Sequence, residues 1–181
     1  DVFAEEGALG IEEARAILEA ARSRGLVTRI HADQLTAGGG ARLAAETGCA
    51  SADHLEQIDD AGIEALARAG VVAGLLPLST LFLCSERYAP ARRLLQAGVP
   101  IALASNLNPG SAMSENVGLV LSLACLKLRL SPAEALVAFS AGGARSLRRG
   151  DLGRISPGCE ADLVLWGCSS VEHLAWHMAV N

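Results

Sequence analysis

Two histidines each close an apolar run: His31 within His31-Ala32-Asp33-Gln34, and His54 within Ser51-Ala52-Asp53-His54-Leu55-Glu56. Imidazole is the commonest ligand for zinc and carries protons near neutral pH, so such a pair offers metal binding or proton transfer. A third candidate is Ser105-Asn106-Leu107-Asn108-Pro109-Gly110-Ser111, which follows the apolar residues 99–104. Asn-Pro-Gly is ordinary turn chemistry, yet the amides and hydroxyl of such a loop also suit a bound polar substrate. His173 and His177 fall at i, i+4 in His173-Leu174-Ala175-Trp176-His177, a spacing that puts both on one helix face. No acidic residue separates them, as a helical metalloprotease motif would require, and they read as surface residues. Cys49, Cys84, Cys125, Cys159 and Cys168 form no pair at metal or redox spacing and read as reduced thiols.

The elements that must hold these residues alternate. Residues 1–4 read as the end of a strand. Residues 11–24 carry Ile11, Ala14, Ile17, Leu18 and Ala21 at helical spacing, stopped by Gly25. Strands are then expected over 26–31, 50–55, 71–76 and 99–104. Helices are expected over 40–47, from Asp59 to 69, over 88–97, over 116–128 and over 132–140 with Ser131 as N-cap. Five strand-plus-helix units in a row mean a parallel sheet covered by helices. An open doubly wound sheet and a barrel segment both satisfy this pattern. The polar residues favour the barrel, because Glu5, His31, His54, Pro77 and Asn106 end successive strands, and a barrel gathers such residues around one mouth. Glu5 and Pro77 read as helix punctuation. The tail differs: residues 153–158 and 161–166 look like two short strands separated by a turn.

Composition narrows the function. The chain has 181 residues, 51% hydrophobic and 19% charged, with 3% aromatic and a net charge of -5. That is enough apolar material for a core, with neither a basic footprint for nucleic acid nor an aromatic platform for stacking bases. The most apolar stretch, 71–84, is interrupted by Pro77 and Ser79-Thr80, which argues against a membrane span. A small-molecule role is expected. The chain opens at Asp1 on a strand already under way, and is expected to be a piece of something longer.

Several runs resemble imidazolonepropionases, a branch of the amidohydrolase superfamily. They are DVFAEEGAL at the start, HADQLTAGGGARLAAETGCASADHLEQIDDAGIEALA from His31, then VAGLLP, GVPIALASNLNPGS and GRISPGCEADLVLW. The resemblance covers essentially the whole chain. GRISPG followed by ADLVLW would indicate the superfamily alone; HADQ, SADHLE and NPGS point to the branch. The fold it implies is α/β: the C-terminal portion, about five βα units, of a (β/α)8 TIM-like barrel, plus part of a small β-sandwich. Residues 1–148 would belong to the barrel and 149–181 to the sandwich.

The resemblance also implies roles. His31 and the residue at position 106 would bind one divalent metal, zinc or iron. Gln34 would contact the imidazolone ring, and His54 would polarise the carbonyl under attack. Asn108, Gly110 and Ser111 would hold the substrate, 4-imidazolone-5-propanoate. Family members are cytoplasmic and typically homodimeric, with no nucleic-acid or membrane partner. Two departures stand out. The family's His-x-His pair belongs to a first barrel strand that this chain does not contain. The family also has Asp where Asn106 stands, and an amide brings no charge and cannot act as a base at neutral pH. One expectation is therefore a hydrolase of cyclic amides. Another is a truncated, inactive paralogue serving as a binding or oligomerisation module. A different amidohydrolase, such as a nucleobase deaminase, would carry other strand-end loops.

Overall fold

The computed structural model describes residues 1–179. Five strands form one parallel sheet: β1 Val2–Ala4, β2 Arg29–Ala32, β3 Ser51–His54, β4 Val72–Leu75 and β5 Ile101–Leu103. Their order in the sheet is β1-β2-β3-β4-β5, the same as in the chain. A doubly wound sheet must reverse its strand order at a switch point, and none occurs here; sequential order is what a stretch of (β/α) barrel requires. The register places His31 opposite Asp53 and Ala32 opposite His54. Beyond β4 the sheet continues through the Ala73 amide, which donates to the Pro100 carbonyl at 2.8 Å.

Between the strands run α1 Ile11–Ser23, α2 Gly40–Thr47, α3 Asp60–Ala69, α4 Pro77–Phe82 and α5 Ala91–Gln96. After β5 come α6 Val117–Leu126, α7 Pro132–Val137, a π-helical turn over Ala138–Gly142, α8 Gly143–Ser146 and α9 Val171–Trp176. Local chemistry sets most of these starts. Asp59 accepts from the Gly62 amide at 2.7 Å, Asn116 from the Leu119 amide at 2.8 Å, and Ser131 forms a reciprocal box with Glu134. The chain divides into two compact units: Asp1–Leu75 with Ala89–Ile101, and Leu76–Tyr88 with the residues from Ala102 onward. In the first unit Leu18, Ile30, Leu43, Leu55, Leu66 and Leu94 are fully buried. In the second, α6 is buried through Val120, Leu121, Leu123 and Ala124 and packs on α4, α7 and α9.

Several expectations need correction. The strand expected over 26–31 begins only at Arg29, because Leu26 and Val27 are more than half exposed and find no sheet face to enter. The helix expected over 88–97 starts at Ala91, since Pro90 occupies the N-cap. Pro77 does punctuate a helix, as its residue type suggested, opening α4 at the position where its missing N–H costs nothing, though no helix was expected as far as Phe82. The helix expected over 132–140 turns π-helical at Ala138. The two tail strands do not form: residues 161–166 pair with no strand among the described residues, and Leu165 is 100% exposed. A strand is defined by its partner, and alternating residues alone do not supply one.

Candidate active site

In the first unit, β2 and β3 bring two histidines together. The His31 and His54 rings lie 4.9 Å apart between centroids, and Phe3 meets His31 edge-on at 5.5 Å. Nδ1 of His31 faces the Asp1 carboxylate at 3.2 Å. His54 is 1% exposed, and its Nδ1 lies 3.6 Å from a carboxylate oxygen of Glu56, too far for a hydrogen bond. Both strands leave the sheet through left-handed residues: Asp33 at φ 51°, then His54 and Leu55 at 81° and 68°. For residues other than glycine this conformation costs roughly 1–2 kcal/mol each, so the packing around them must over-determine it. The two exits are laced together, the Leu55 amide donating to Ala32 and the Gln57 amide to Asp33.

Buried carboxylates hold these exits. Asp33 accepts from the amides of Gly39, Gly40 and Ala41, capping α2 at 2.8, 3.1 and 2.9 Å. The Gly40 backbone presses on Ala32, where a Cβ would come within 2.7 Å of the Ala32 Cβ. Glu5, 6% exposed, accepts from the amides of Gln34, Leu35 and Thr36 and from the Thr36 hydroxyl, at 2.5 to 3.2 Å. Glu5 is therefore no helix punctuation. It fixes the loop that carries Gln34. Asp53 packs against Gly74, where a side chain would collide with the carboxylate. Burial raises the Asp53 carboxyl above the usual range, against the pull of the Ser51 hydroxyl, His31 and Arg29. Burial likewise lowers His31, with Asp53 opposing.

In the second unit, the loop after β5 organises itself. Asn106 is left-handed at φ 54°, which asparagine tolerates well. The Asn108 carboxamide oxygen accepts from the Gly110 and Ser111 amides, both at 2.8 Å, while its nitrogen donates to the Asn106 carbonyl and to Ser111 Oγ. Asn106 Nδ2 reaches Ser111 Oγ at 3.5 Å. So the structure unites His31 with His54, and Asn106, Asn108, Gly110 and Ser111 with one another. Gln34 is half-buried on its clamped loop.

A divalent metal does not fit the donors this chain offers. Among the described residues no cluster of three or more His, Cys, Asp or Glu could hold an ion, whereas zinc sites need at least three protein ligands. Sequence reading missed Glu5, Asp33 and Asp53. For Asp33 a signal existed, an acidic residue shortly before a Gly-rich helix start; for Glu5 none did, because its partners lie 29 to 31 residues away.

The amidohydrolase family profile matches residues 3–171. An imidazolonepropionase of Anaeromyxobacter dehalogenans is 78% identical over the whole chain, which covers 43% of that relative. One from Myxococcus xanthus is 53% identical over 99% of the chain, again 43% of the relative. The chain thus spans less than half the length of these curated relatives. Among solved structures, a zinc-bound adenosine deaminase from Xanthomonas campestris superposes with a TM-score of 0.78 at 23% identity, over 93% of this chain and 45% of that one. A zinc-complexed atrazine chlorohydrolase from Arthrobacter aurescens gives 0.75 at 24%, over 93% and 44%. At such identities the likeness is one of fold. No helix among the described residues is long and apolar enough to cross a membrane.

Proposed function

The chain belongs to the amidohydrolase family, and on that footing we propose that it is part of an imidazolonepropionase, which opens the cyclic amide of 4-imidazolone-5-propanoate to N-formimidoyl-L-glutamate in histidine breakdown. The observation that carries this reading is 78% identity to a protein of that name over every residue of the chain. In the reaction water adds to the ring carbonyl carbon, the carbon–nitrogen bond breaks, and the released nitrogen takes a proton while the carbonyl becomes a carboxylate.

Each candidate residue has a task on this reading. His54 interacts with the carbonyl oxygen as negative charge develops there. The Glu56 carboxylate lies 3.6 Å from Nδ1, close enough to favour positive charge on the ring but too far to hydrogen-bond it. Gln34, on the loop that Glu5 clamps, contacts the ring. Asn108, Gly110 and Ser111 hold the propionate-bearing substrate. The Asn108 carboxamide oxygen and the Gly110 and Ser111 amides are spent on one another, so the Ser111 hydroxyl, only loosely held at 3.3 Å from that oxygen, is what the loop presents. His31 and Asn106 would belong to the zinc or iron site of the complete barrel. The donors among the described residues do not by themselves make such a site. Residues 1–148 would lie in the barrel and 149–181 in a β-sandwich that the rest of the protein completes. The whole enzyme would be a cytoplasmic homodimer.

A second reading is an inactive paralogue kept as a binding or oligomerisation module, and Asn106 favours it. One experiment separates the two. Join this chain to the N-terminal part of a relative, supply imidazolonepropionate, and follow N-formimidoyl-glutamate by mass spectrometry. Formation that His54→Ala abolishes supports the enzyme. Substrate binding without product supports the paralogue, and neither binding nor product sinks the substrate assignment.

A further inference from the structure

We propose that Glu5 is a positioning residue for substrate recognition: its carboxylate sets the backbone of 34–36 so that the Gln34 carboxamide meets the ring in a conformation already chosen. This role rests on the reading of Gln34 as a substrate contact. It goes further by assigning the strength of that contact to a residue 29 positions away. The successive amides of Gln34, Leu35 and Thr36 converge on one carboxylate, forming an anion-binding nest that the chain fills from within. Oε1 takes the Gln34 and Leu35 amides, and Oε2 takes the Thr36 amide and hydroxyl. On the other side of Gln34, the Asp33 carbonyl accepts from the Gln57 amide while the Asp33 carboxylate caps α2. Gln34 is thus pinned from both directions, and its side chain takes no part in the lacing.

Two observations point to recognition as the purpose of the clamp. Leu35 is 58% exposed, so the loop brings little apolar surface into the core, yet a carboxylate only 6% exposed is spent on holding it. Burying a charge costs free energy, and this loop does not return it through packing. Downstream the chain runs through Gly38-Gly39-Gly40, whose backbone samples many conformations wherever it is not held. A contact residue on a held backbone loses little freedom on binding, and the saving appears as affinity.

The test uses the joined protein and imidazolonepropionate, with Glu5→Gln, Gln34→Ala, the two combined, and Thr36→Val. Gln at position 5 has one acceptor oxygen in place of two, so half of the clamp is lost. KM should rise about tenfold with kcat held within about twofold, as when a contact made equally in ground and transition states is weakened. Thr36→Val removes the hydroxyl alone and should raise KM about threefold, which keeps the test open if Glu5→Gln does not fold. The double variant should show the KM of Gln34→Ala, because without that side chain the clamp has nothing to present. Where product forms too slowly to follow, Kd and the number of binding sites from calorimetry take the place of KM and kcat. An unchanged KM in Glu5→Gln and Thr36→Val would overturn the positioning role. So would a fall in kcat or in binding sites alone, or a double variant in which the two single effects multiply. If the joined protein itself neither binds nor converts the substrate, the substrate assignment fails and takes this role with it.

Discussion

The two loops proposed to meet substrate are held in opposite ways. The loop carrying Gln34 is fastened by Glu5, which reaches across from the neighbouring strand to three amides and a hydroxyl. The loop carrying Asn106 fastens itself, through a carboxamide two and three residues from its partners. Distant fastening makes one loop depend on the sheet beneath it. Local fastening lets the other keep its shape whatever side chain stands at 106, the position proposed to belong to the metal site.

The largest effect expected rests on the role proposed for position 106. In the joined protein, Asn106→Asp would supply a carboxylate able, on the proposed reading, to take a proton from attacking water, and general-base help is worth about 10² to 10⁴ in rate. Turnover should rise by at least about 10², measured as kcat under saturating substrate. An unchanged kcat would mean that position 106 is remote from the reacting atoms, and that the self-fastened loop has kept chemistry and shape alike.

Glu5→Ala comes next and tests the distant clamp. Hydrogen bonds to charged groups are worth about 1.5–3 kcal/mol, with water replacing part of the loss at this partly open loop, so about 3 kcal/mol of stability should go. Asn108→Ala removes only neutral, local bonds and should cost about 1 kcal/mol. Urea unfolding of both variants compares them directly. Equal costs would erase the distinction between the loops.

These two loops also mark what the sequence made legible. Asn-Pro-Gly announces its own turn, because the residues that bond are neighbours. So do Asp59, Asn116 and Ser131, whose side chains each cap a helix at the amide three residues on. The parallel order of five βα units was equally readable, since each unit repeats the same change of period. Glu5 was not, because a residue that serves a loop 29 positions away leaves no local pattern. The tail failed for the mirror reason: 161–166 has the alternation of a strand, and strands exist only with partners. His31, His54 and the loop 105–111 stand out by residue type and by their place at the ends of apolar runs, whereas their roles, and Gln34 altogether, rest on resemblance.

The smallest effect concerns Asp59, a purely local cap. Asp59→Ala should cost about 1 kcal/mol at neutral pH, as N-caps do. The Gly62 amide and Arg42 hold this carboxyl below its ordinary value. Its contribution is thus complete above that ordinary value and fades as pH falls through the lowered one. Thermal unfolding of both proteins should converge in acid. A gap that persists there would show the loss to be one of helix propensity.

The π-helical turn at Ala138–Gly142 bears on how this chain can change length. Such a turn holds one residue more than the α-turn it replaces, so it behaves as an insertion that neither flanking helix had to absorb. Deleting Ala141, the exposed residue of the five, would let α7 run into α8 as plain α-helix with buried Ala135 and Ala144 still facing the same way. Removing a residue from within α7 would instead swing everything after it by about 100°, since each helical residue advances that much, and carry Ala144 out into water. Among relatives of unequal length, indels in this stretch of the chain should therefore gather at 138–142.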